Sequence, residues 1–123
     1  MIKSMLLQEW QRFKGRCLYS TEGLLLAWRE EHSFRFWTYV NLISAVLICL
    51  LPVAVWARII VLALGILILA AECFNTAIER VVNHVSPDKH PLAKAAKDAG
   101  SAGVALTAVV AGIAWVGAVW TLF

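Results

Sequence analysis

Apolar positions recur along this chain in three stretches without a formal charge, residues 36–57, 59–71 and 99–123, and each stretch predicts a helix of membrane grade. The first and third exceed the ~20 residues that a spanning helix needs. The second reaches that length only by taking in Glu72 and Asn75, so its polar face is expected to lie against protein. Upstream, Leu6, Trp10, Phe13 and Cys17 recur at helical spacing opposite Gln8, Glu9, Gln11, Arg12 and Lys14, the pattern of an amphipathic helix lying on a membrane surface. Gly15 and Gly23 are expected to interrupt it, before an apolar patch at 24–28 and the cluster Arg29-Glu30-Glu31.

Breakers place the element ends. Pro52 stops the first span, and Ser86-Pro87-Asp88 stops the second after an unbroken stretch at 76–85. His90 followed by Pro91 opens the third, because proline is favoured at the first helical position. The predicted fold is an all-α membrane protein, a single domain over 1–123, with three transmembrane helices and an N-terminal amphipathic surface helix. The arm occupies 1–33, and the helices containing the spans lie within 34–57, 58–85 and 91–123. Small residues such as Gly100, Ala108, Ala111, Gly112 and Gly117 crowd the last span, which favours close helix packing in lipid and an oligomer.

Composition agrees with this pattern: 61% of the 123 residues are hydrophobic and 15% charged, too apolar for a soluble domain of this size. The distribution of the eleven basic residues adds an orientation. Six precede the first span, four (Arg80, Lys89, Lys94, Lys97) lie between the second and third, and Arg58 alone falls in the first link. The positive-inside rule then puts the N-terminus and second loop in the cytoplasm, and the first link and C-terminus outside. Trp37 suits the inner interface, and Trp56 and Trp120 the outer one. Charges scattered over 1–35 leave no continuous apolar core for a secretory signal, so this segment is expected to be retained. Cys17, Cys49 and Cys73 are odd in number and widely spaced, which suggests packed thiols rather than a disulfide framework or zinc site.

Glu72, Asn75 and Glu79 are the most informative residues. Steps of three and seven at 100° per residue put them on one helical stripe where apolar sequence ends. A carboxylate there is costly, about 2.5–3.5 kcal/mol at a bilayer centre, and marks a working site or a buried pair. Together with Glu31 and the Lys97-Asp98 pair, these oxygens suit Mg²⁺, which takes one or two carboxylates plus phosphate oxygens and water. The same groups could instead form interhelical salt bridges, such as Glu79 with Lys97, or an ion relay. No phosphate-binding glycine loop or kinase glycine motif occurs, and the basic residues flank spans rather than form a nucleic-acid groove.

Glu72-Cys73-Phe74-Asn75-Thr76-Ala77-Ile78-Glu79-Arg80-Val81-Val82, followed by His90 and by Ala96-Lys97-Asp98-Ala99-Gly100-Ser101-Ala102, resembles the signature of the bacterial integral-membrane diacylglycerol kinases, a family that also contains undecaprenol kinases. Ala27-Trp28, Glu31 and Phe34-Arg35 also fit, and the resemblance runs from about Arg12 to the C-terminus. It implies a homotrimer with active sites between protomers that transfers the γ-phosphate of MgATP to a lipid hydroxyl at the inner face of the bacterial cytoplasmic membrane. By motif, Glu72 would be the general base, and Glu31 and Glu79 would hold Mg²⁺. Asn75, Glu79, Glu31, Lys97, Asp98, Asp88, His90, Tyr19 and Arg12 would bind nucleotide, and Arg12, Glu72 and Ser101 would meet the lipid.

Asn83 stands where the signature has Asp, and Thr21-Glu22, Leu24-Leu25 and Phe36-Trp37 also depart from it. Asn83 weakens any metal or structural role of that carboxylate, whereas the changes in the arm and first span bear on the acceptor more than on the chemistry. The Gly100-Ser101-Ala102 ending resembles the diacylglycerol branch, making diacylglycerol the expected acceptor and undecaprenol the alternative. A non-catalytic trimeric membrane protein and a proton-coupled transporter built around Glu72 are the readings from other classes.

Overall fold

A computed structural model describes residues 2–123, with side chains from position 3 onward, so the first residue of the expected arm lies outside the described residues. Regular structure among them is helical throughout: α1 (Ile2–Glu30), α2 (His32–Leu50), α3 (Val55–Val85) and α4 (Pro91–Trp120). The last three are long and apolar enough to cross a membrane. The chain forms two compact units, Met1–Glu31 and His32–Phe123.

In the first unit, α1 runs through Gly15 and Gly23 without a break, contrary to the expected interruptions. Neither glycine takes a positive φ. A glycine costs a helix interior about 1 kcal/mol, and no proline occurs before Pro52 to add a stop. The predicted apolar face is present, with Leu6, Trp10 and Phe13 exposed. Trp10 stacks on Phe13 at 5.8 Å between ring centroids, and the Lys14 ammonium lies 5.2 Å from the Trp10 ring centre.

In the second unit α3 packs against both α2 and α4. Its buried positions, Ala57, Val61, Gly65, Ile68, Glu72 and Thr76, form one stripe at helical spacing. The stripe is apolar until Glu72 and polar after it. Near its start, Val53, Ala57 and Val61 cluster with Ile48 of α2 and Ala118 of α4.

Two corrections fall at the α2–α3 link. The helix α2 stops at Leu50, just before Pro52 and short of the expected bound at 57, and α3 begins at Val55 rather than 58, so Arg58 lies within α3 rather than in the link. From there its Nε donates to the Ile48 carbonyl at 3.3 Å and its Nη2 to the Leu51 carbonyl at 3.1 Å. A cation on these carbonyls satisfies acceptors that the end of α2 leaves without helical partners. Pro52 therefore ends one helix while Arg58 seals it.

A polar layer lies deeper among the spans. Asn41 of α2 rests on Gly65 of α3, where a Cβ would stand 2.5 Å from Asn41 Oδ1. Trp115 of α4 donates its indole N–H to Ser44 Oγ of α2 at 2.8 Å. Together with Trp37, these side chains line a groove of about 170 Å³ among the three helices. Trp37 thus faces the groove.

At ~1.5 Å per residue, the 19 residues of α2 span about 28 Å and the 31 of α3 about 46 Å. A hydrocarbon core of about 30 Å therefore leaves α3 projecting well beyond one side. Glu72 stands about 26 Å along α3 from Val55, where the uncharged part of the helix ends. The α3–α4 turn beyond it is closed locally. Ser86 Oγ donates to the Asp88 carbonyl at 3.2 Å, and His90 Nδ1 accepts from the Leu92 N–H at 3.2 Å as N-cap before Pro91.

Candidate functional site

The site grows from the point where the α3 stripe turns polar. Glu72 is only 3% exposed, and its Oε2 accepts a 3.1 Å hydrogen bond from Ser33 Oγ, on the first turn of α2. One turn further on, Asn75 faces α4. Its Oδ1 is buried with no hydrogen-bond partner, and a Cβ on Gly100 would stand 2.5 Å from it. Asn75 Nδ2 donates to Glu79 Oε1 at 3.3 Å. The predicted stripe is therefore one surface with two neighbours: Glu72 leans on α2, and Asn75 carries Glu79 on the α4 side.

Beyond Glu79, the ends of α3 and α4 enclose a cleft of about 650 Å³. Asn83, Asp88, Lys89, His90, Lys97 and Asp98 are among the residues lining it. This volume falls within the ~300–1,000 Å³ usual for small-molecule sites. Its charged groups are divided by the helix geometry. Lys97 Nζ reaches back to Asn83 Oδ1 at 3.3 Å, so the salt bridge to Glu79 weighed from the sequence does not form. Asp98 instead pairs with Lys94, one turn earlier on α4. Lys97 and Asp98 are thus adjacent in sequence but engaged by different partners. Ser101 is exposed on α4.

The second unit therefore brings together Glu72, Asn75 and Glu79 on α3, and gathers Asp88, His90, Lys97 and Asp98 around the cleft. Arg12, Tyr19 and Glu31 belong to the first unit, where Arg12 forms a 2.6 Å ion pair with Glu9. Among the described residues no group of three His, Cys, Asp or Glu side chains converges as a metal cage.

A family model described as prokaryotic diacylglycerol kinase matches residues 18–119. The chain belongs to the prokaryotic diacylglycerol kinase family. A diacylglycerol kinase of Escherichia coli (strain K12) is 36% identical over 105 residues, covering 85% of this chain and 86% of that protein. The diacylglycerol kinase of Pseudomonas aeruginosa is 38% identical over 97 residues, 79% of each chain. An undecaprenol kinase of Bacillus subtilis is 37% identical over 106 residues, 83% of each chain. The stretch matched to the diacylglycerol kinase family contains every candidate site residue except Arg12.

Three features of this diacylglycerol kinase relative escaped the sequence reading. Ser33 had no local signal, because its contact to Glu72 joins positions 39 apart. Gly100 stood inside the recognised motif, but its use as a seat for Asn75 needs two helices to be seen together. Asn83 was visible only as a departure, and its bond to Lys97 gives it a place in the cleft.

Proposed function

We propose that this protein is an ATP-dependent lipid kinase that transfers the γ-phosphate of MgATP to the hydroxyl of diacylglycerol, forming phosphatidic acid and ADP. The observation that carries this reading is the buried, hydrogen-bonded Glu72 at the point where the α3 stripe turns polar, on the same helix as a cleft lined by charged residues that begins at Val82, about 15 Å further along. A lipid hydroxyl reaches such a carboxylate from the bilayer, while nucleotide reaches the cleft from water. Family membership supports the same chemistry.

In this reading Glu72 takes the hydroxyl proton as the lipid oxygen bonds to the γ-phosphorus and the bond to the ADP oxygen breaks. Phosphoryl transfer asks a protein mainly for positioning and charge stabilisation. Lys97, Asn75, His90, Asp88 and Asp98 position the nucleotide, the family motif assigns Arg12 and Tyr19 to nucleotide as well, and Ser101 and Arg12 meet the lipid. Mg²⁺ would be held by Glu79 and Glu31 and would neutralise phosphate charge. The donor set fits it: Asn75 holds Glu79 through Oε1 alone, and a hard cation bound largely by phosphate and water needs only one or two carboxylates.

The same reading places the protein as a homotrimer in the bacterial cytoplasmic membrane, with α1 on its inner surface. The basic residues in α1 and beside the cleft support that orientation. Undecaprenol is the second acceptor, favoured by the similarity to the undecaprenol kinase of Bacillus subtilis.

Transfer of labelled γ-phosphate in mixed micelles, with diacylglycerol and undecaprenol offered separately, tests the proposal. Label in phosphatidic acid, lost with Glu72→Gln or on chelation of Mg²⁺, is the expected result. Label in undecaprenyl phosphate alone would change the acceptor. A folded, oligomeric sample that labels neither lipid would overturn the reading.

A further inference from the structure

We infer that Ser33 is a positioning residue for proton transfer, fixing the carboxylate of Glu72 so that it can receive the proton of the acceptor hydroxyl; this rests on the kinase reading. Ser33 occupies the first turn of α2, where a hydroxyl ordinarily serves the unpaired N–H groups of its own helix. Here Ser33 Oγ donates across to Oε2 of Glu72, 3.1 Å away on α3. The carboxylate is 3% exposed, so water is a poor substitute for that donor. A glutamate has three side-chain torsions, and a donor fixed to a second helix removes much of their freedom.

The position of the pair is as specific as its distance. Glu72 is the last carboxylate on α3 before the apolar half of the stripe, and Ser33 begins the helix that packs beside it. The bond therefore ties the start of α2 to the reactive end of α3. A general base must lie within hydrogen-bond reach of the proton it removes, and small errors in its placement are costly to rate. Ser33 supplies orientation without itself touching phosphate or lipid.

Purified full-length protein in mixed micelles provides the test. Replacing the hydroxyl in Ser33→Ala is expected to lower kcat for the accepted lipid by about tenfold or more, the usual scale for a hydrogen bond to a charged group. KM for MgATP and the oligomeric state should stay at wild-type values. Ser33→Thr, which restores a hydroxyl, should recover most of kcat. Infrared difference spectra of each protein against its Glu72→Gln partner should show the Glu72 band displaced by Ser33→Ala and returned by Ser33→Thr. Wild-type kcat in Ser33→Ala, an unmoved band, or a loss that Ser33→Thr does not recover would overturn the inference while leaving the kinase reading intact. Absence of transfer by wild-type protein, even with the band displaced, would overturn the kinase reading and the inference with it.

Discussion

Gly100 gives Asn75 its place: a Cβ at Gly100 would lie 2.5 Å from Asn75 Oδ1, inside any ordinary contact distance. The amide seated there also holds Glu79. Gly100→Ala should therefore displace Asn75 and disturb Glu79, while the helix pair remains assembled because the obstructed atom ends a side chain. The expected result is at least a tenfold fall in phosphoryl transfer, with a loss of stability of about 1–3 kcal/mol. Transfer assays and denaturation of the same preparation separate the two effects.

A matching seat holds Asn41 on Gly65, among the spans and away from the proposed chemistry. Gly65→Ala is expected to destabilise the α2–α3 pair by about 1–3 kcal/mol through overpacking. Adding Asn41→Ala should recover part of that loss, since contacting residues behave non-additively. A double-mutant cycle of unfolding midpoints in detergent measures the coupling, and strict additivity would contradict the packing.

Arg58→Ala removes both donors from the Ile48 and Leu51 carbonyls. Bonds from a charged donor contribute roughly 1.5–3 kcal/mol each at most, and the side chain here is only half-buried, so a loss of about 1–3 kcal/mol is expected. Folded Arg58→Ala protein should keep its specific activity. A fall in activity without a fall in unfolding midpoint would mean that Arg58 acts beyond its carbonyls.

Asn83→Asp replaces the neutral amide acceptor of the Lys97 ammonium with a carboxylate, turning the bond into an ion pair. Phosphoryl transfer should be retained and stability should rise by no more than about 1 kcal/mol, because the pair is partly exposed. The gain should shrink in high salt. Thermal midpoints at low and high ionic strength check this, and a gain insensitive to salt would rule out an electrostatic origin.

The sequence made the spans legible because apolar runs and prolines act locally: three helices of membrane grade occur in the expected order, and only the link between α2 and α3 is displaced. Burial of Glu72 was legible too, since α3 could not reach membrane length without hiding its polar face. Helix ends were harder. Arg58 belongs to α3 because its side chain reaches back to α2, a preference that charge counting along the chain does not register. Continuity of α1 through two glycines reflects a modest penalty set against a long run of compatible residues. Ser33, Gly65 and Gly100 act through partners on other helices, so periodicity along one helix carried no sign of their contacts.

The helix α2 is fastened at both ends, by Ser33 to Glu72 and by the carbonyls that Arg58 holds. Its length of about 28 Å is close to the ~30 Å of an average hydrocarbon layer. Tied to Glu72 through Ser33, α2 acts on the kinase reading as a ruler for the depth of that carboxylate against the bilayer. A thicker membrane would draw this carboxylate beneath the headgroups, and a thinner one would lift it into water. On the kinase reading proposed above, hydrophobic mismatch is thereby coupled to the proposed base, and lipid chain length becomes a variable of catalysis as well as of solubility.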